Sequence, residues 1–127
     1  RGWRRSEPRG DKRHVAYLKW LARAAAHVKR LDPNHLLAIG SEGSTPFADA
    51  GVDVLQDHGL ADVDLVTLHV WAQNWAWYAP LPEGESDASL RGALSRATEY
   101  VAAHARLARQ LGKPLVLEEF GLARDAE

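Results

Sequence analysis

The sequence predicts an α/β fold built from parallel β/α units, and two kinds of segment carry that prediction. Three short apolar runs, residues 35–40, 63–70 and 114–121, are rich in Val, Leu and Ile and are bounded by turn residues. Near-continuous apolar character is what strands covered on both faces require. Between the runs lie two long segments whose apolar residues recur every three or four positions, the spacing of one helix face. Alternation of the two kinds implies parallel strands joined by crossover helices.

From Asp11 to Leu31 the helical face is Val15, Leu18, Leu21, Ala25, Val28 and Leu31. Asp32-Pro33-Asn34 stops that helix and turns the chain. The run His35–Gly40 follows as a strand. Residues 46–59 fit a short helix or an irregular turn. The run Val63–Val70 is the second strand. Residues 80–86 read as a solvated loop. A second long helix covers Ser89 to Leu111, with Leu90, Ala93, Leu94, Ala97, Val101, Ala105, Ala108 and Leu111 on one face. Gly112 suits the position just past its end, and Pro114 lies beyond. The last strand is Pro114–Gly121.

Composition sets bounds. The chain has 127 residues, 46% hydrophobic and 26% charged, a globular balance. A formal net charge of −1 lacks the basic excess of a nucleic-acid surface. No apolar run reaches the ~20 residues of a membrane span, so neither nucleic acid nor membrane is expected as a partner. Cysteine is absent, which excludes disulfides and thiolate metal sites. The histidines outside the strand ends (His14, His27, His35, His58, His104) lack the paired spacing of a metal site, and no metal is assigned. Methionine is absent too, and the chain begins Arg1-Gly2-Trp3; this predicts a processed chain or a piece of a longer one. Two architectures accept such β/α units, an open doubly wound sheet and a closed barrel. The absence of GxGxxG and GxxxxGK[ST] turns lowers the nucleotide-binding open sheet. A full barrel needs about 250 residues.

Polar groups cluster where each apolar run ends. The first run leads into Ser41-Glu42-Gly43. The second ends in His69, followed by Trp71, Asn74, Trp75, Trp77 and Tyr78. The third ends in Glu118-Glu119-Phe120-Gly121. Functional groups of barrel enzymes gather at that end of the strands. Glu119 leaves a buried run directly, and simple strand alternation puts Glu118 and Glu119 on opposite faces. Glu7, before Pro8, is the candidate second carboxylate: cleavage of a glycosidic bond takes two carboxyl groups, about 5–5.5 Å apart in retaining enzymes. At such a site His69 would hydrogen-bond sugar or hold a carboxylate. Trp71, Trp75 and Trp77 offer flat faces on which pyranose rings stack.

Taken in order, Glu7-Pro8-Arg9, Leu31-Asp32-Pro33-Asn34-His35-Leu36, Gly40-Ser41-Glu42-Gly43, His69-Val70-Trp71 through Asn74-Trp75, and Gly112-Lys113-Pro114-Leu115-Val116-Leu117-Glu118-Glu119-Phe120-Gly121 resemble glycoside hydrolase family 5, in particular its endo-β-1,4-mannanase branch. The resemblance implies an internal fragment of a (β/α)8 TIM barrel, from roughly the end of the fourth strand through the seventh, with residues 1–127 a single incomplete catalytic domain. It implies a retaining double displacement on mannan, glucomannan or a related β-glycan, with Glu119 as nucleophile and Glu7 as acid/base. It implies substrate contact or support by His69 and Glu42, no cofactor, and an extracellular or periplasmic setting. A β-1,4-glucanase of the same family, or an inactive carbohydrate-binding fragment, are the alternatives. Two departures stand out: Ser6 replaces the Asn that precedes the family's acid/base, and Trp71 replaces the Tyr two places after the histidine.

Overall fold

The computed structural model describes residues 12–45, 53–79 and 86–122. Glu7 and Ser6 lie outside the described residues. The elements run α1 (Lys12–Leu31), α2 (Val54–Asp57), β1 (Val66–Val70), α3 (Ser86–Leu111) and β2 (Leu115–Phe120). β1 and β2 pair in parallel, and α3 lies between them in sequence. This is the expected β/α unit.

Helix α1 matches its predicted span, and Leu21 and Ala25 are its buried residues. Lys29 and Arg30 occupy its last turn, where positive charge complements the helix dipole. Lys29 uses that position twice. It donates to the His35 carbonyl at 2.8 Å and pairs with Asp64 at 2.5 Å. The Lys29 hydrogen bond, and then the Leu37 N–H, hold the Asp64 carboxyl below its ordinary range. Beyond the helix, Asp32 Oδ1 accepts the N–H groups of Asn34 and His35, which closes the turn read from Asp-Pro-Asn.

The first predicted strand is a correction. Residues 35–40 run beside β1 but form no ladder with it. Side-chain bonds alternate with isolated backbone ones instead. The Leu37 N–H donates to Asp64 Oδ2 at 2.7 Å, while the Asp64 N–H donates to the Leu37 carbonyl at 2.8 Å. Further along, Thr67 Oγ1 accepts the Ser41 N–H at 2.9 Å and donates to the Ser41 carbonyl at 3.1 Å. The Thr67 N–H donates to His58 Nε2 at 3.2 Å. Residues 35–40 are exposed or half-buried, so backbone groups there are open to water and need no third strand.

Helix α3 starts at Ser86, three positions before its predicted start. It ends as expected: Gly112 has φ +67°, a left-handed conformation that glycine adopts without a Cβ clash, and the Lys113 N–H returns to the Ala108 carbonyl at 3.0 Å. Lys113 then reaches the carbonyls of His58 and Leu60, tying the turn after α2 to the entry of β2. The core joins Val54 of α2, Val66 of β1 and Ala108 of α3, with Leu107, Leu111 and Leu115 packed against them.

Candidate functional site

The site forms where β1 and β2 end. Pairing is regular from Val66 opposite Leu115 to Leu68 opposite Leu117, and then slips: His69 stands opposite Glu119, so Glu118 is passed over. An extra residue in one strand re-aims the side chains around it. This corrects the expectation that Glu118 and Glu119 diverge. Both carboxylates reach the same imidazole, with Glu119 Oε2 3.3 Å from His69 Nδ1 and Glu118 Oε2 3.5 Å from Nε2. His69 itself is buried, and the Glu119 side chain keeps 53% of its surface exposed. Glu118 is more enclosed at 27%. Of the two carboxylates, Glu119 is the more open to a reacting partner.

Trp71 supplies a second hold on Glu119. Its indole N–H donates to Oε2 at 3.2 Å. A Cβ at position 121 would lie 2.8 Å from the far edge of the indole. Glycine there lets the ring lie across the chain just after Glu119. Trp71 thus presents a hydrogen-bond donor to the carboxylate.

The loop after the first apolar run joins the same place through its backbone. The Glu42 carbonyl accepts the His69 N–H at 3.1 Å and the Tyr100 hydroxyl at 2.7 Å. The Glu42 side chain is exposed. Burial, and then the Glu42 charge, push the Tyr100 phenol above its ordinary range, so it remains a donor at neutral pH.

The aromatic loop divides. Its backbone folds back through the Trp77 and Tyr78 N–H groups, both donated to the Ala72 carbonyl, with Ala76 at φ 54°. Tyr78 packs with Ala72 and Ala93 under α3. Trp75, expected to stack on sugar, is only 7% exposed. Its ring meets Trp77 and Tyr100 edge-on, at centroid distances of 4.8 and 5.2 Å. Those contacts leave too little open face for a pyranose, and packing is the role this position serves. Trp77 is half-buried and Trp71 lies beside Glu119.

Spacing alone did not single out Tyr100 or His104. A signal was present: His104 sits four residues from both Tyr100 and Ala108, on the stripe that α3 buries. Among the described residues no group of three or more His, Cys, Asp and Glu side chains is placed to hold a metal ion. No described helix is long and apolar enough to cross a membrane.

Comparison with known proteins places this geometry in a family. Residues 3–127 match the model for glycoside hydrolase family 5 β-mannosidase-like proteins. The chain is 34% identical to the putative mannan endo-1,4-beta-mannosidase 5 of Oryza sativa subsp. japonica, over 93% of this chain and 25% of that protein. It is 30% identical to mannan endo-1,4-beta-mannosidase F of Aspergillus clavatus, over 94% of this chain and 27% of that one. It thus spans about a quarter of the length of these relatives. Among solved structures, the glycoside hydrolase family 5 mannosidase from Rhizomucor miehei superposes with a TM-score of 0.71 at 31% identity, covering 85% of this chain and 24% of that one. The endo-1,4-beta-D-mannanase of Thermotoga petrophila superposes at 0.61 and 25% identity, over 90% of this chain and 33% of that one. The chain belongs to the β-mannosidase-like group of glycoside hydrolase family 5.

Proposed function

We propose that this chain supplies roughly the end of the fourth strand through the seventh strand of a (β/α)8 barrel, within a retaining mannan endo-1,4-β-mannosidase. The observation that carries the reading is the end of β2. There a half-exposed carboxylate, Glu119, is held by the Trp71 indole and faced by the buried His69. A nucleophilic carboxylate needs that combination of fixed orientation and open access.

In the proposed reaction Glu119 attacks the anomeric carbon as the glycosidic C–O bond breaks. Glu7 gives its proton to the leaving oxygen. Water, deprotonated by Glu7, then attacks the same carbon and releases Glu119, so the configuration is retained overall. His69 and Trp71 orient the nucleophile. Glu42 and the partly open Trp77 contribute to the walls of the sugar cleft. The substrate is a β-1,4-mannan, with glucomannan a related choice.

The test is hydrolysis by the full-length polypeptide. Reducing ends should appear from β-1,4-mannan at a rate at least about tenfold above that from cellulose, with the β-anomer formed first, as retention requires. Preference for cellulose would make the protein a β-1,4-glucanase of the same family. Binding of mannan without any release would make it a carbohydrate-binding remnant.

A further inference from the structure

Helix α3 carries a clamp on the site. Tyr100 and His104, four residues apart and so one above the other on the helix, both face the loop 42–44. The Tyr100 hydroxyl donates to the Glu42 carbonyl, which also takes the His69 N–H. His104 is 1% exposed and donates from Nδ1 to the Tyr100 carbonyl at 2.8 Å. That bond leaves Nε2 as an acceptor, and it receives the Ser44 N–H at 3.0 Å. Gly43 is pressed between the two side chains. Its φ is +85°, and a Cβ there would lie 2.5 Å from His104 Nε2 and 2.7 Å from the Tyr100 hydroxyl. The Tyr100 ring also meets Trp75 and Trp77 edge-on, at 5.2 and 5.8 Å. One side chain thus touches both the loop that ends the first apolar run and the aromatic loop that follows β1.

We propose that Tyr100, seated by His104, is a positioning residue for glycosidic cleavage: its hydroxyl fixes the Glu42 carbonyl and, through it, the backbone of His69, whose ring faces Glu118 and Glu119. The inference rests on the functional reading above. A tyrosine that merely packed would need its ring alone, and the hydroxyl separates the two roles. Removing it deletes one hydrogen bond to a carbonyl that His69 shares and leaves every aromatic contact in place.

The experiment compares wild type, Tyr100→Phe and His104→Gln in the full-length polypeptide. Two readouts are taken, kcat and KM on β-1,4-mannohexaose and hydrogen exchange at the His69 amide. Tyr100→Phe should lower kcat on the order of tenfold, the factor that one ordinary hydrogen bond carries, with KM within about twofold. The His69 amide should exchange faster by a similar factor. His104→Gln keeps a side-chain acceptor for Ser44 and should fall between wild type and Tyr100→Phe in both readouts. A Tyr100→Phe protein with wild-type helicity, unchanged kcat and unchanged His69 exchange overturns the proposal while leaving the mannanase reading intact. A wild type inactive on mannohexaose defeats the mannanase reading instead; the clamp then stands or falls on His69 exchange alone. Should Tyr100→Phe fail to fold, His104→Gln decides, and its indifference in both readouts overturns the proposal.

Discussion

Replacing Glu119 with alanine in the full-length polypeptide is expected to lower mannan hydrolysis by several orders of magnitude, the usual consequence of removing a nucleophile. Azide should then restore part of the turnover. It is small and anionic, fits the space vacated by the carboxylate, and attacks the anomeric carbon from that side. The product is a glycosyl azide of opposite anomeric configuration, because one displacement replaces two. Glu118→Ala provides the internal comparison. Glu118 faces Nε2 of His69 and is the more enclosed carboxylate. Its loss should disturb the imidazole and reduce the rate by about tenfold, the scale of one lost polar contact, with no rescue by azide. Undiminished turnover by the Glu119 variant would remove that residue from the mechanism. Azide rescue of the Glu118 variant would exchange the two roles.

The second large effect is acid sensitivity. His58 has no exposed surface, and its Nε2 accepts the Thr67 N–H. Burial, assisted by the charge of Lys113 and by His104, pulls its pKa from 6.5 down to about 4, against a smaller opposing pull from the Val54 carbonyl. His104 is lowered for the same leading reason. A depressed folded-state pKa means that the unfolded chain binds the proton more readily. The stability contributed by neutral His58 is therefore complete above about pH 6.5. It declines below that pH and is gone once the pH falls through about 4. The gap between about 4 and 6.5 corresponds to roughly 3.5 kcal/mol, at about 1.4 kcal/mol per pH unit. Urea midpoints measured from pH 7.5 to 4 should fall steeply below pH 6.5, and His58→Gln should flatten most of that slope. A wild-type midpoint constant down to pH 4.5 would contradict the buried neutral state.

The two long helices and two of the three strands were legible because their signals are local. Of the predicted α1 face Leu21 and Ala25 are buried while Val15, Val28 and Leu31 are exposed, and the Gly112-Lys113-Pro114 stop marks the end of α3 where the structure places it. The run 35–40 misled because its composition is that of a strand, whereas its link to the chain before β1 is Leu37 alone, bonded to the side chain and the N–H of Asp64. Nothing in an apolar run announces that. At the site, His69 and Glu119 were visible as polar residues ending apolar runs, and the structure brings them to 3.3 Å. The parity of Glu118 and Glu119 was misjudged because alternation assumes an unbroken register, and the slip at Leu68/His69 depends on both strands together. Trp75 was misread for a related reason: a dense aromatic loop serves stacking on sugar or stacking on itself, and Tyr100, 25 residues further on, decides which.

Identification of the residue that bonds covalently to sugar tests the account most directly. The full-length polypeptide would be incubated with 2-deoxy-2-fluoro-β-mannosyl fluoride, whose 2-fluorine slows both formation and release of the glycosyl-enzyme while its good leaving group speeds formation alone, so that the intermediate accumulates. The labelled protein would then be digested and the modified peptide sequenced by mass spectrometry. The account predicts a single 2-fluoromannosyl ester on Glu119, in the stretch Leu115–Gly121. A label on Glu118 or on any other carboxylate, or turnover of mannan with no covalent intermediate at all, would contradict it.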